Sequence, residues 1–208
     1  MQNLYLFFIA SLLLNLTPGN DMMYVASRSI SQGTKAGIIS AAGVFIGCFV
    51  HITAAVFGLS ILIMKSAFLF ELIKFLGAGY LIYLGAKTIL TKSNFNENLQ
   101  ALPPTDKWKL LKQGVITNAL NPKVALFFLS FLPQFIQPGS PLYKIQLFSL
   151  GLWFDLQGTC VLMIVAWVIG KAGNFIKNNK KFWRIQEKIT GIILIGLGIK
   201  VALSSSKR

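Results

Sequence analysis

Two polar stretches interrupt otherwise apolar sequence: N-L-T-P-G-N-D at 15–21 and T-N-A-L-N-P-K at 117–123. In each, a proline removes a backbone donor and crowds the preceding turn, so a helix running through it must break. Gly19 lets the first break leave helical geometry at little cost. A break frees carbonyls on one side and N–H groups on the other, and in lipid each unsatisfied group costs several kcal/mol. The freed groups therefore have to face protein or a wet cavity. A half-helix N-terminus carries roughly half a positive charge and favours a carboxylate. Asn15, Thr17, Pro18, Gly19, Asn20 and Asp21 at one break are therefore candidate substrate-binding residues. So are Thr117, Asn118, Asn121, Pro122 and Lys123 at the other. A plainer reading makes Thr17, Asn20 and Asn121 helix caps.

Ionisable groups inside apolar runs are expensive and mark substrate or ion pathways. Asp155 sits in G-L-W-F-D-L-Q-G, and Gly151, Asp155 and Thr159 share one helix face at four-residue spacing. His51 follows Gly43 and Gly47 at the same spacing, on a small-residue face that turns it inward. Asp155, Asp21 and His51 are the candidates for proton coupling, although a lone inward histidine also serves as a structural hydrogen-bonding residue. Cys48 and Cys160 are far apart, form no C-x-x-C, and are expected away from both breaks. No Walker A loop and no H-E-x-x-H occurs. The sequence asks for no metal, no cofactor and no catalytic residue, so the chain is not read as an enzyme.

The elements that must hold these residues are membrane helices. Hydrophobic residues make up 54% of the 208 and charged residues 12%, about half the usual share for a soluble domain. Mean hydropathy is +0.65. Residues 36–63 contain no ionisable side chain other than His51 and Cys48, and 144–170 holds one acid, Asp155. Runs of ~20 apolar residues cross a bilayer. Six helices are predicted, at about 3–27, 36–63, 68–90, 110–135, 142–170 and 186–204. The first and fourth are broken at Pro18 and Pro122. The N-terminus lacks the basic start of a secretory leader and reads as a retained span.

The fold class expected is an all-α integral membrane protein in one membrane domain, 1–208. Its halves, 1–90 and 110–208, are three-helix repeats joined by a cytoplasmic linker at 91–109. L-T-P-G answers L-N-P-K, and L-G-A-K at 84–87 answers L-G-I-K at 197–200. Because three is odd, the repeats must insert in opposite senses, the pattern that points to a transporter with a midplane site. The net charge of +14 falls mostly between spans, where it meets lipid headgroups rather than nucleic acid. One side carries Arg28, Lys35, Lys92, Lys107, Lys109, Lys112 and the cluster from Lys171 to Lys188. The other holds Lys65, Lys74, Lys144, Lys207 and Arg208. The richer side is predicted cytoplasmic, with both termini outside.

Three blocks, from N-L-T-P-G-N-D through G-T-K-A-G-I, then G-A-G-Y-L-I-Y-L-G-A-K, then T-N-A-L-N-P-K through F-L-P-Q-F-I, resemble the lysine exporter / homoserine–threonine efflux (LysE/RhtB) family over about 5–205. The resemblance implies a bacterial inner-membrane exporter of amino acids, driven by the proton motive force. The family usually has P-G-P at its first break, and this chain has Pro18-Gly19-Asn20, which leaves substrate identity open. Few acids are present, which favours a neutral cargo such as homoserine, threonine or a branched-chain amino acid over a basic one. The expected partners are the amino acid, protons, the bilayer and a second copy of the chain as a homodimer. The competing readings are a metal-ion exporter using His51 and Asp155, and a thiol redox carrier using Cys48 and Cys160.

Overall fold

A computed structural model describes residues 4–59, 67–90, 102–136, 140–177 and 180–203. These residues are helical almost throughout, with no strand among them. Helix α1 is Leu4–Leu16, α2 Asn20–Ala54, α3 Ala67–Leu90, α4 Lys107–Ala119, α5 Pro122–Leu126, α6 Tyr143–Lys177 and α7 Lys180–Leu203. A π-helical turn, Ala55–Leu59, extends α2, and α5 continues through a π turn, Phe127–Phe131, into a 3₁₀ turn, Leu132–Phe135. Residues 91–101 of the expected linker lie outside the described residues, as do Lys65, Lys92, Lys207 and Arg208.

The expected loop between the first two helices contracts to one residue. Helical conformation runs from Asn20 to Ala54, interrupted only at Gly33, with φ 79 and ψ 176. That region of backbone space is essentially restricted to glycine. A Cβ on Gly37 would come within 2.0 Å of Ser29 Oγ, whereas eight residues of straight helix span about 12 Å. The chain therefore folds back at Gly33 into two arms, 20–32 and 34–54. Arg28, counted in the sequence as a loop charge, is consequently buried at 5% exposure.

Among the described residues, Asn20–Gly58, through its second arm, and Tyr143–Lys171 contain stretches long and apolar enough to cross a membrane, and Lys107–Ala119 with Pro122–Phe135, bent by 42°, adds a third if it is one span. Leu4–Leu16, Phe75–Leu90 and Gly191–Leu203 are shorter apolar helices. Helix α1, about 20 Å long, falls short of a ~30 Å hydrocarbon core by itself. Large apolar side chains such as Val50, Ile164 and Trp167 remain outward, which suits a surface solvated by lipid.

Glycines set the closest helix contacts. Cβ atoms on Gly43 and Gly47 would fall 2.3 Å from Leu111 O and 2.5 Å from Val115 O, so the second arm of α2 lies backbone-to-backbone on α4. Gly85 and Gly191 bring α3 and α7 together in the same way. The two larger apolar clusters among the described residues form around these contacts. One gathers Phe7, Phe127, Phe128, Phe131, Phe135 and Phe154 between α1, α5 and α6, with Phe127 stacked on Phe154 at 4.4 Å. The other joins Met22, Val25, Val44 and Leu162 between the arms of α2 and α6. The two breaks lie between these clusters. Asp106 Oδ1 accepts Lys109 N–H at 2.9 Å, which caps α4 and holds this exposed carboxyl below its usual range.

Candidate functional site

The first break leaves carbonyls at the end of α1, and the chain satisfies them from both sides. Thr17 Oγ1 donates to Leu13 O at 2.9 Å, and Thr17 N to Leu14 O at 3.1 Å. Lys123 Nζ then donates to Leu14 O at 3.3 Å and Thr17 O at 3.0 Å. An ammonium at a helix C-terminus also meets the negative end of the dipole. Gly19 is close enough that a Cβ there would sit 3.1 Å from Lys123 Nζ. The lysine of the second break thus completes the first.

The reverse holds for Asp21. Its carboxylate stands in the first turn of α2, where the dipole favours it. Oδ2 accepts from Asn118 Nδ2 at 2.9 Å and from Asn121 Nδ2 at 2.8 Å. Asn121 Oδ1 accepts Lys123 N–H at 3.0 Å and so caps α5. Both amides, candidate substrate-binding groups in the sequence, are turned to Asp21. Asn118 O, denied its i+4 donor by Pro122, accepts Asn121 N–H at 2.8 Å and pairs with His51 Nε2 at 2.8 Å, which requires the proton on Nε2.

A cavity of about 30 Å³ lies between the breaks, room for a water or two and less than an amino acid needs. Asn15, Thr17, Asp21, Asn118, Lys123 and Asp155 face it. Asn15 Nδ2 donates to Phe154 O at 3.1 Å, and Gly158 makes room, since a Cβ there would lie 2.9 Å from Asn15 Oδ1. Asp155 is 4% exposed and lines the cavity beside Cys48. Three buried oxygens around this cavity, Asp21 Oδ1, Asn118 Oδ1 and Asp155 Oδ2, have no protein partner, nor has Thr159 Oγ1.

Of the residues singled out in the sequence, His51 supports Asn118 without lining the cavity, and Asn121 acts through Asp21. Asn20 and Pro122 are exposed, and Thr117, Pro18 and Gly19 are half-buried outside the lining. The expectation that neither cysteine neighbours a break is corrected for Cys48, which is buried against the cavity; Cys160 is exposed. Sequence spacing had put Thr159 on the Asp155 face, and it does line the cavity. Met22, Val44, Phe154 and Leu162, its apolar wall, carried no signal of their own, because apolar residues at helical spacing are everywhere in such a chain. No group of three or more His, Cys, Asp or Glu side chains is arranged to hold a metal ion among the described residues.

The profile of the LysE type translocator family matches residues 12–205. The membrane protein YrhP of Bacillus subtilis (strain 168) is 35% identical over 212 residues, covering 98% of this chain and 100% of its own length. Leucine efflux proteins of Salmonella typhimurium and Salmonella typhi are 27% identical over 204 residues, covering 98% of this chain and 96% of theirs. No solved structure matches.

Proposed function

The chain belongs to the LysE type translocator family, a family of membrane transporters rather than enzymes, and from that premise we propose that it exports a neutral amino acid from the bacterial cytoplasm in exchange for protons. The observation that carries the reading is the mutual completion of the two breaks: Lys123 closes the first, and Asn118 with Asn121 holds Asp21 from the second. An ammonium and two carboxylates, Asp21 and Asp155, then face one cavity. A zwitterion matches those charges, its carboxylate toward Lys123 and its ammonium toward Asp21, which leaves Asp155 for the proton. Met22, Val44, Leu162 and Phe154 offer its side chain an apolar wall, which suits a branched-chain amino acid better than homoserine or threonine. The relatives named for leucine efflux agree with this choice.

In the proposed cycle the halves 1–90 and 110–208, inserted as inverted repeats across six spans, rock about the site. A reciprocal contact supports the repeat: Gly85 lies against Gly191, and Gly198 against Ala78, and the same sequence offset relates Gly85 to Gly198 and Ala78 to Gly191. Asp155, buried and carrying an unpartnered oxygen, takes up a proton from outside once the amino acid has left. It gives that proton up on the cytoplasmic side before the next one binds. His51 steadies this site through Asn118 O. Localisation follows as the cytoplasmic membrane, with both termini outside.

The test is release of amino acids from cells loaded with dipeptides, with and without a protonophore. Leucine or a related aliphatic amino acid should leave only cells carrying the chain, and collapse of the gradient should stop it. An unchanged release profile, with the protein present in the membrane, would rule the reading out.

A further inference from the structure

The seams around α4 are built in two different ways. Against the second arm of α2, α4 meets Gly43 and Gly47 at backbone distance, a contact that can separate only by losing close van der Waals approach along its whole length. Against the first arm, side-chain hydrogen bonds bridge the helices. Asp21, Tyr24 and Arg28 follow one another at i, i+3 and i+7 and all reach α4 or the segment before it. Asp21 binds Asn118 at 2.9 Å, Tyr24 Oη donates to Leu110 O at 2.6 Å, and Arg28 Nη2 donates to Gln113 Oε1 at 2.8 Å. This seam starts at the central cavity and runs to the end of the first arm of α2.

Its far end is strapped. Arg28 Nη1 donates to Pro103 O at 3.0 Å, Leu102 N to Ser31 Oγ at 2.7 Å, and Gln32 Nε2 to Thr105 O at 2.8 Å. Residues 102–105 thus lie across the same face of α2, held by positions 28, 31 and 32. Arg28 is 5% exposed, its partners Gln32, Pro103 and Gln113 are all neutral, and its Nε has none. A buried cation left without a counter-charge is costly. Bonds to neutral, replaceable acceptors suit a contact that is made and broken, and an unpartnered guanidinium Nε suits a passing carboxylate.

Resting on the exporter reading, we infer that the seam between the first arm of α2 and α4 is the route by which the amino acid reaches the central site, and that residues 102–105 with Arg28 are its latch. With the latch closed the cavity is too small for cargo. Opening requires the Arg28–Gln113 and Ser31–Leu102 contacts to part, after which Arg28 meets the substrate carboxylate on its way to Lys123.

A Ser31→Cys/Leu102→Cys chain tests this, with the two single-cysteine chains as controls for oxidant acting on Cys48 or Cys160. Cells are loaded with leucyl-leucine and leucine release is followed before oxidation, after it, and after reduction. If the latch must open, oxidation lowers release by tenfold or more in the double variant only, and reductant restores it. Full release from chains verified as disulfide-bonded overturns the latch while leaving the exporter reading intact. No release of leucine or a related aliphatic amino acid by the unmodified chain, each supplied as its dipeptide, overturns both. Should the disulfide fail to form, Gln32→Cys/Thr105→Cys bridged by a short bis-maleimide is read in the same way, with irreversible loss expected. A KM-against-Vmax comparison of Arg28→Lys and Arg28→Gln adds the carboxylate role. The guanidinium route predicts KM raised severalfold in both, more in Arg28→Gln, and an unchanged KM contradicts it.

Discussion

Asn121 and Asp21, a hundred residues apart, are joined by a 2.8 Å hydrogen bond from Nδ2 to Oδ2, and the same asparagine caps α5 through Oδ1. One amide therefore ties the carboxylate of the first break to the helix start of the second. Because the amide is 2% exposed, water cannot stand in for it, and both jobs fail together when it is removed.

Asn121→Ala should accordingly cost about 1 kcal/mol for the cap and about 1.5–3 kcal/mol for the bond to a charged group. For a chain of this size that amounts to a melting temperature lower by roughly 5–15 °C. Asn121→Asp keeps an acceptor for the cap but sets a carboxylate against Asp21, so it should melt no higher than Asn121→Ala. Thermal melting of the purified protein in one detergent decides the matter; a wild-type melting point for Asn121→Ala would show the bond to be dispensable.

Lys123→Met removes the ammonium from Leu14 O and Thr17 O and leaves Asp21 without its nearby positive charge. Leucine export from dipeptide-loaded cells should fall at least about tenfold, corresponding to about 1.4 kcal/mol in the transport barrier. Lys123→Arg, which keeps the charge but not the compact head group, should retain part of the activity. Equal export by Lys123→Met and wild type would remove this residue from the site.

Asp155→Asn retains a hydrogen-bonding group beside Cys48 but not an exchangeable proton. Gradient-driven export should be lost, while exchange of labelled for unlabelled leucine across vesicles with no proton gradient should persist. Loss of both would assign Asp155 to substrate binding or to folding instead of coupling.

Glycines separate structural contacts from free surface. Gly114→Ala places a Cβ 2.5 Å from Ser40 O and 3.0 Å from Gly43 Cα, and overpacking of this kind costs about 1–3 kcal/mol. Gly33→Ala is strained by its φ of 79 and ψ of 176, at a cost of about 1–3 kcal/mol. Gly196, in the interior of α7, has nothing within 4 Å, and Ala there should stabilise by about 0.5–1 kcal/mol. Melting temperatures of the three variants should order accordingly, with Gly196→Ala above wild type.

Charge scarcity and apolar run length needed no tertiary information, because both report directly on transfer to lipid. The helix breaks were equally legible: a proline cannot donate, wherever the chain later folds. The i, i+4 face of Gly151, Asp155 and Thr159 was readable for the same local reason. Sequence also showed that Asn15, Asp21, Asn118, Asn121 and Lys123 would need partners, since polar groups at such depth cannot go unpaired. It did not show which partner each would take. Asn118 and Asn121 donate to Asp21, and Lys123 caps a helix more than a hundred residues earlier. Cys48, dismissed from the breaks, lines the cavity, and Arg28, counted as a loop charge, is buried. These outcomes depend on helices brought together by glycine contacts and by the fold-back at Gly33, and such convergence leaves no trace in local spacing. The sequence by itself determined that the chain lives in lipid and where its helices must break; only the tertiary structure decided which buried donor meets which buried acceptor.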